Sequence, residues 1–96
     1  MSPEHVVRLL PWAGPENKPC YVITDGHGGR VSRLADQIES IQLGMGAELL
    51  GHAEVLLGEP GGDAGELRFL SARLTEALRD VLRVAESRGA RLTGAV

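Results

Sequence analysis

Residues 31–57 read VSRLADQIESIQLGMGAELLGHAEVLL, and whether this stretch forms one helix or two decides the fold. At 100° per residue, Val31, Leu34, Ile38, Ile41, Met45, Leu49 and Leu56 gather on one face, the apolar stripe of a helix lying on a core. A second set, Leu43, Leu50 and Leu57, recurs at a spacing of seven and lies well over 100° round from the first. Beside it runs a track of small residues, Ser40, Gly44, Ala47 and Gly51. Glycine within a helix costs about 1 kcal/mol relative to alanine, so this segment needs compensation. Close approach of another backbone to the small-residue track would supply it. The expectation is one continuous helix with two faces to bury; a break at Gly44–Gly46 is the alternative.

Read in heptads, the stretch offers Val31, Ile38, Met45 and His52 at one seam position and Ala35, Gln42, Leu49 and Leu56 at the other. Gln42 and His52 are expected at the seam edge, in contact with water. Ser32 reads as the N-cap, with Asp36 and Glu39 placing negative charge near the positive end of the helix dipole.

Upstream, His5 to Leu10 (HVVRLL) is β-branched and apolar, and Pro11 is expected to end it for want of an N–H. Turn formers fill Ala13 to Pro19, and CYVIT over 20–24 resumes strand character, so 5–24 reads as a β-hairpin. By the period of two, Cys20, Val22 and Thr24 share one face of that strand and Tyr21 and Ile23 the other. Trp12 and Tyr21 are expected to anchor the ribbon to the helices. Residues 25–30 are a glycine-rich turn.

Downstream, 58–63 is a loop containing Pro60, and Asp63 followed by Glu66 has the form of a capping box. Leu67, Leu70, Leu74, Ala77, Val81 and Val84 then alternate three and four residues apart, with Leu78 and Ala85 widening the face. A second helix over 64–88 follows, with Gly89 as its C′ residue and 89–96 as a tail. The short loop makes the two helices antiparallel neighbours. The fold class is therefore α+β: a two-stranded hairpin, then an antiparallel two-helix hairpin, in one domain.

A chain of 96 residues, 43% hydrophobic, buries a modest core and gains from assembly. Its net charge of −3 sets up no strong field for nucleic acid. One cysteine, Cys20, excludes an internal disulfide, and no stretch has the layout of a signal peptide or the roughly 20 apolar residues of a membrane span. A cytoplasmic location is expected. The single lysine among ten basic residues, with abundant Gly, Ala, Leu and Arg, matches the coding bias of a GC-rich bacterial genome.

The sharpest local motif is Asp25-Gly26-His27-Gly28-Gly29. These five letters resemble a motif of the metal-dependent protein phosphatases, where the Asp and the carbonyl of the next Gly bind divalent metals; the likeness would put Asp25 and Gly26 in that role. It covers five residues of 96, and no later Asp supplies the further oxygen ligands a hard-metal site needs, so no metal is assigned. With Arg30 and Arg33 as counter-charge, Asp25, Gly26, His27, Gly28 and Gly29 also form a candidate anion- or ligand-binding loop. It matches neither GxGxxG nor GxxxxGK[ST]. An enzyme built from Asp25, His27 and Cys20 at a subunit boundary is the remaining alternative.

The leading expectation is a non-enzymatic interaction or regulatory module, without cofactor, that acts as a homodimer or docks on a partner helix. Its interface is placed on Leu43, Gly44, Ala47, Leu50, Gly51 and Leu57, with Phe69 of the second helix as a further contact.

Overall fold

The structure, a computed structural model, describes residues 6–24 and 29–93. It has the expected α+β order: β1 (Val6–Ala13), a short 3₁₀ turn (Pro15–Asn17), β2 (Pro19–Thr24), α1 (Arg30–Gly58) and α2 (Ala64–Thr93). The two strands pair antiparallel, with Val6 opposite Thr24, Val7 opposite Ile23, Arg8 opposite Val22 and Leu9 opposite Tyr21.

The first correction concerns Pro11. It does not end β1, which runs on to Ala13; instead the register becomes irregular between Leu9 and Ala13, where the missing N–H is accommodated. Its carbonyl is turned to the helices. Gln42 Nε2 donates to it at 2.9 Å and Arg83 Nη1 at 3.2 Å, and Pro11 is among the most deeply buried side chains.

At the tip of the ribbon, Glu16 and Asn17 take left-handed conformations, φ 58° and 61°, and Lys18 N–H donates to Pro15 O at 3.1 Å. Two successive positive φ values match the right-handed twist of paired strands. Gly14 precedes them because a Cβ there would lie 2.9 Å from Cys20 Sγ. Along β2 the alternation is as expected, with Cys20, Val22 and Thr24 half-buried and Tyr21 and Ile23 exposed. Tyr21 is therefore no anchor; it faces outward from a two-stranded ribbon that has only one covered face.

Helix α1 is unbroken from Arg30 to Gly58, so Gly44–Gly46 does not divide it. Its N-cap is Gly29 and not Ser32, which lies inside the helix and is buried. At the other junction Asp63 Oδ1 accepts from Gly65 N–H at 3.2 Å and Asp63 O from Leu67 N–H at 3.0 Å, which starts α2 where the sequence indicated. Gly89 does not stop α2, which continues to Thr93.

The seam of α1 is displaced from its expected place. Residues turned inward are Ser32, Ala35, Glu39, Gln42, Gly46, Leu49, Ala53 and Leu56, an unbroken three–four alternation. One expected seam position (35, 42, 49, 56) holds, and the other moves one residue along, from 31, 38, 45 and 52 to 32, 39, 46 and 53. Val31, Leu34, Ile41 and Met45 are consequently exposed. The cause is ionic: Glu39 turns inward to meet an arginine from β1, and Gly46 then faces α2, where an added Cβ would lie at ordinary contact distance, 3.5 Å, from Val81 Cγ2. On α2 the seam Leu67, Leu70, Leu74, Ala77, Val81 and Val84 is buried or half-buried as expected, but Leu78 and Ala85 are exposed and do not widen it.

Near the start of α1 the strand β1 wedges between the helices and the core turns polar. Glu39 is 1% exposed and Arg8 6%. Arg8 donates through Nη2 to Asp36 Oδ1 at 2.7 Å and Glu39 Oε2 at 3.3 Å, and through Nη1 to Ser32 O at 3.0 Å. From α2, Arg88 Nε and Arg91 Nη2 stand 3.4 and 3.6 Å from Glu39 Oε1. Ser87 Oγ donates to Leu9 O at 3.0 Å and accepts from Arg91 Nη1 at 2.9 Å. Glu39 thus joins β1, α1 and α2, a different role from tuning the helix dipole.

Removing one partner of a buried ion pair leaves the other charged and dry, at a cost of about 3–5 kcal/mol, whereas half-exposed pairs contribute below about 1 kcal/mol. Glu39→Ala should therefore lose several times more unfolding free energy than Arg91→Ala in urea titrations followed by circular dichroism. Equal small losses would show that the carboxylate does not tie the elements together.

Candidate interaction surfaces

The body is long, 63 × 25 × 22 Å, with a radius of gyration of 17.0 Å against about 12–13 Å for a compact chain of this length. Two parallel rods and a ribbon at one end cannot enclose all their apolar side chains. Three surfaces result.

The first is an outer seam on α1, formed by Val31, Leu34, Ile38, Ile41 and Met45. It lies one residue, or 100°, round from the inner seam and keeps the same three–four spacing. Ile38 is half-buried, while Ile41 is 59% and Met45 62% exposed. Its continuation, Glu48 and His52, is polar, so the apolar run stops at Met45.

The second is the face expected from the sequence. Leu43 is half-buried, and Gly44, Ala47, Leu50, Gly51 and Leu57 are exposed, with Leu50 at 58%. The hairpin does not cover this face. Nothing lies within 4 Å of a Cβ built on Gly44 or Gly51, and at Gly46 an added Cβ would meet Val81 at ordinary contact distance, so none of the three is held against another backbone among the described residues.

The third is a groove of about 420 Å³ between the helices, with Met45, Leu49 and Ala77 as its apolar lining and Gln42, Glu48, His52, Arg73, Glu76 and Asp80 around them. Arg73 pairs with Glu76 and also lies over the Phe69 ring, 5.8 Å from its centroid. Phe69 shares a smaller hollow with Leu49, His52 and Leu56. On α1, His52 stands about 140–160° round from Leu50 and Leu57 by helix geometry. Phe69, the further contact expected on the second helix, is exposed and lies on the groove side, apart from the leucine face.

Of the glycine-rich loop, Asp25, Gly26, His27 and Gly28 lie outside the described residues. Gly29 caps α1, accepting from Arg33 N–H at 2.9 Å, and Arg30 and Arg33 are exposed on the first turn. Cys20 is a half-buried free thiol against Gly14. Among the described residues no helix is long and apolar enough to cross a membrane, and no group of three or more His, Cys, Asp or Glu could hold a metal ion.

The sequence left Arg8 unassigned. An isolated arginine inside the apolar run VVRLL was the available signal, because a cation in a covered strand requires a buried acid.

No protein-family model matches the chain, and neither a curated protein nor a solved structure matches it significantly.

Because an added methyl at Gly51 meets open space, Gly51→Ala should raise stability by about 0.5–1 kcal/mol through helix propensity alone. Thermal unfolding of the variant checks this; a destabilised variant would show that a backbone lies against Gly51 in solution.

Proposed function

We propose that this protein is a non-enzymatic interaction module that presents α1 to another polypeptide, as a homodimer or by docking on a partner helix. The observation that carries this reading is the row of large apolar side chains that α1 leaves exposed.

Leu34, Ile41, Met45, Leu50, Val55 and Leu57 of α1 are all exposed, as are Phe69, Leu78, Leu82 and Leu92 of α2. Monomeric proteins scatter such residues singly, whereas on α1 Leu34, Ile41 and Met45 share one face and Leu50 and Leu57 another, which is the pattern of a helix packed on further sides. The small-residue face from Leu43 to Leu57 suits a helix approaching closely, since Gly44, Ala47 and Gly51 offer a shallow groove beside the leucines.

Sedimentation equilibrium between 1 and 100 μM tests the dimeric form of the reading. A mass rising to twice that of the chain is the expected outcome, and a single-chain mass across the whole range would rule the homodimer out.

A further inference from the structure

The outer seam and the leucine face are both open, but only one of them carries a charge pattern that selects its occupant. Arg30 and Glu48 are separated by 18 residues, five whole turns of helix, so they stand at the same azimuth on α1, one at each end of the apolar run Val31–Met45. Both are exposed and flank the seam by about 60°. From this geometry we infer that a second copy of the chain docks on the outer seam, with the two α1 helices antiparallel about a twofold axis near Glu39 and Ser40. The inference rests on the interaction-module reading and specifies its face and orientation.

A twofold axis perpendicular to the helices carries the Arg30 flank of one copy to the height of the Glu48 flank of the other, on the same side of the interface. Opposite charges then close both ends, and Arg33 adds to the positive end. The apolar layers follow: Ile38 meets Ile41 of the other copy, Leu34 meets Met45, and Val31 lies beside Glu48. A parallel pair would set Arg30 level with Arg30 and Glu48 level with Glu48, leaving opposite charges at opposite ends about 27 Å apart. The helix dipoles favour the antiparallel arrangement as well. Since α1 already turns its inner seam to α2, pairing through the outer seam produces a four-helix assembly with α1 central in each half.

Two sets of variants test it. Ile41→Glu charges the outer seam and Leu50→Glu the leucine face; both positions are exposed, so circular dichroism should show each variant folded. Light scattering at 100 μM should give a dimer for the wild type and Leu50→Glu and a monomer for Ile41→Glu. A dimer lost in Leu50→Glu and kept in Ile41→Glu would overturn the outer-seam assignment while leaving the interaction reading standing. A monomeric wild type would overturn both the assignment and the homodimer.

Orientation is read by disulfide trapping in a Cys20→Ser background. In the antiparallel pair Leu34 of one copy sits opposite Met45 of the other, whereas two copies of Leu34 are about 16 Å apart along the helices. Mixed Leu34→Cys and Met45→Cys chains should crosslink under mild oxidation at least tenfold faster than Leu34→Cys alone. Self-crosslinking of Leu34→Cys at the rate of the mixture would overturn the antiparallel geometry.

Discussion

The carboxylate of Glu39 is the point on which the three elements of the structure converge. It lies within a layer that a two-helix hairpin would ordinarily fill with leucine, and it is surrounded by guanidinium groups from β1 and from the last turns of α2. Such a group contributes little net energy compared with a well-packed hydrophobic residue, because desolvation offsets most of the Coulombic gain. Its effect lies in direction. A leucine at position 39 would accept many rotations of α1 and many depths of the strand; an ion pair with hydrogen-bonded partners accepts few.

That constraint explains why α1 turns its poorer face inward. The helix has two seams offset by a single residue, one running through Ser32, Ala35, Glu39 and Gln42, the other through Val31, Leu34, Ile38 and Ile41. Apolar burial alone favours the second. The first wins because Arg8, carried in by the strand, needs Glu39 and Asp36, and because Pro11 O needs Gln42 and Arg83. Leaving Arg8 and Pro11 O unpaired in a dry site would carry the desolvation cost of a charge and of a carbonyl. The apolar seam is left outside, and a surface for another chain is the by-product.

Much of this architecture was legible in the residues. The β-branched runs marked both strands, the alternation along 20–24 held residue for residue, Asp63 began α2, and the α2 seam from Leu67 to Val84 was read correctly. What failed has a common origin. Ranking positions by apolarity put Met45 and Ile41 in the core and assigned Glu39 to the dipole, since a pattern of hydrophobicity carries no information about a cation arriving from another segment. The missing N–H of Pro11 predicts a strand end, whereas its carbonyl, bonded to Gln42 and Arg83, holds it inside β1. Glycine commonly ends helices, which predicts a stop at Gly89, yet the turn beyond it places Arg91 beside Ser87 and Glu39. On the surface, spacing alone marked the face of Leu43, Leu50 and Leu57, whereas the hollow that Phe69 shares with Leu49, His52 and Leu56 was not legible, because relative rotation of two helices is decided by the seam that had been misplaced by one residue.

The bonds from β1 to α2 also have a topological consequence. Ser87 reaches Leu9 across 78 residues of chain and Arg83 reaches Pro11 across 72, so the first strand and the last turns close the molecule into a ring. The helical hairpin, by contrast, is assembled from contacts that its own short loop brings together. Closing the ring costs only a few tenths of a kcal/mol more entropy than closing a loop somewhat shorter, because the cost grows with the logarithm of length, but it makes the two ends interdependent. Fraying of the last two turns of α2 removes partners from Leu9 and Glu39, and loosening of β1 leaves the Ser87 hydroxyl without its acceptor. In thermodynamic terms the ends form one cooperative unit, set apart in sequence and joined in space, while the far end of the helical hairpin is free to open separately.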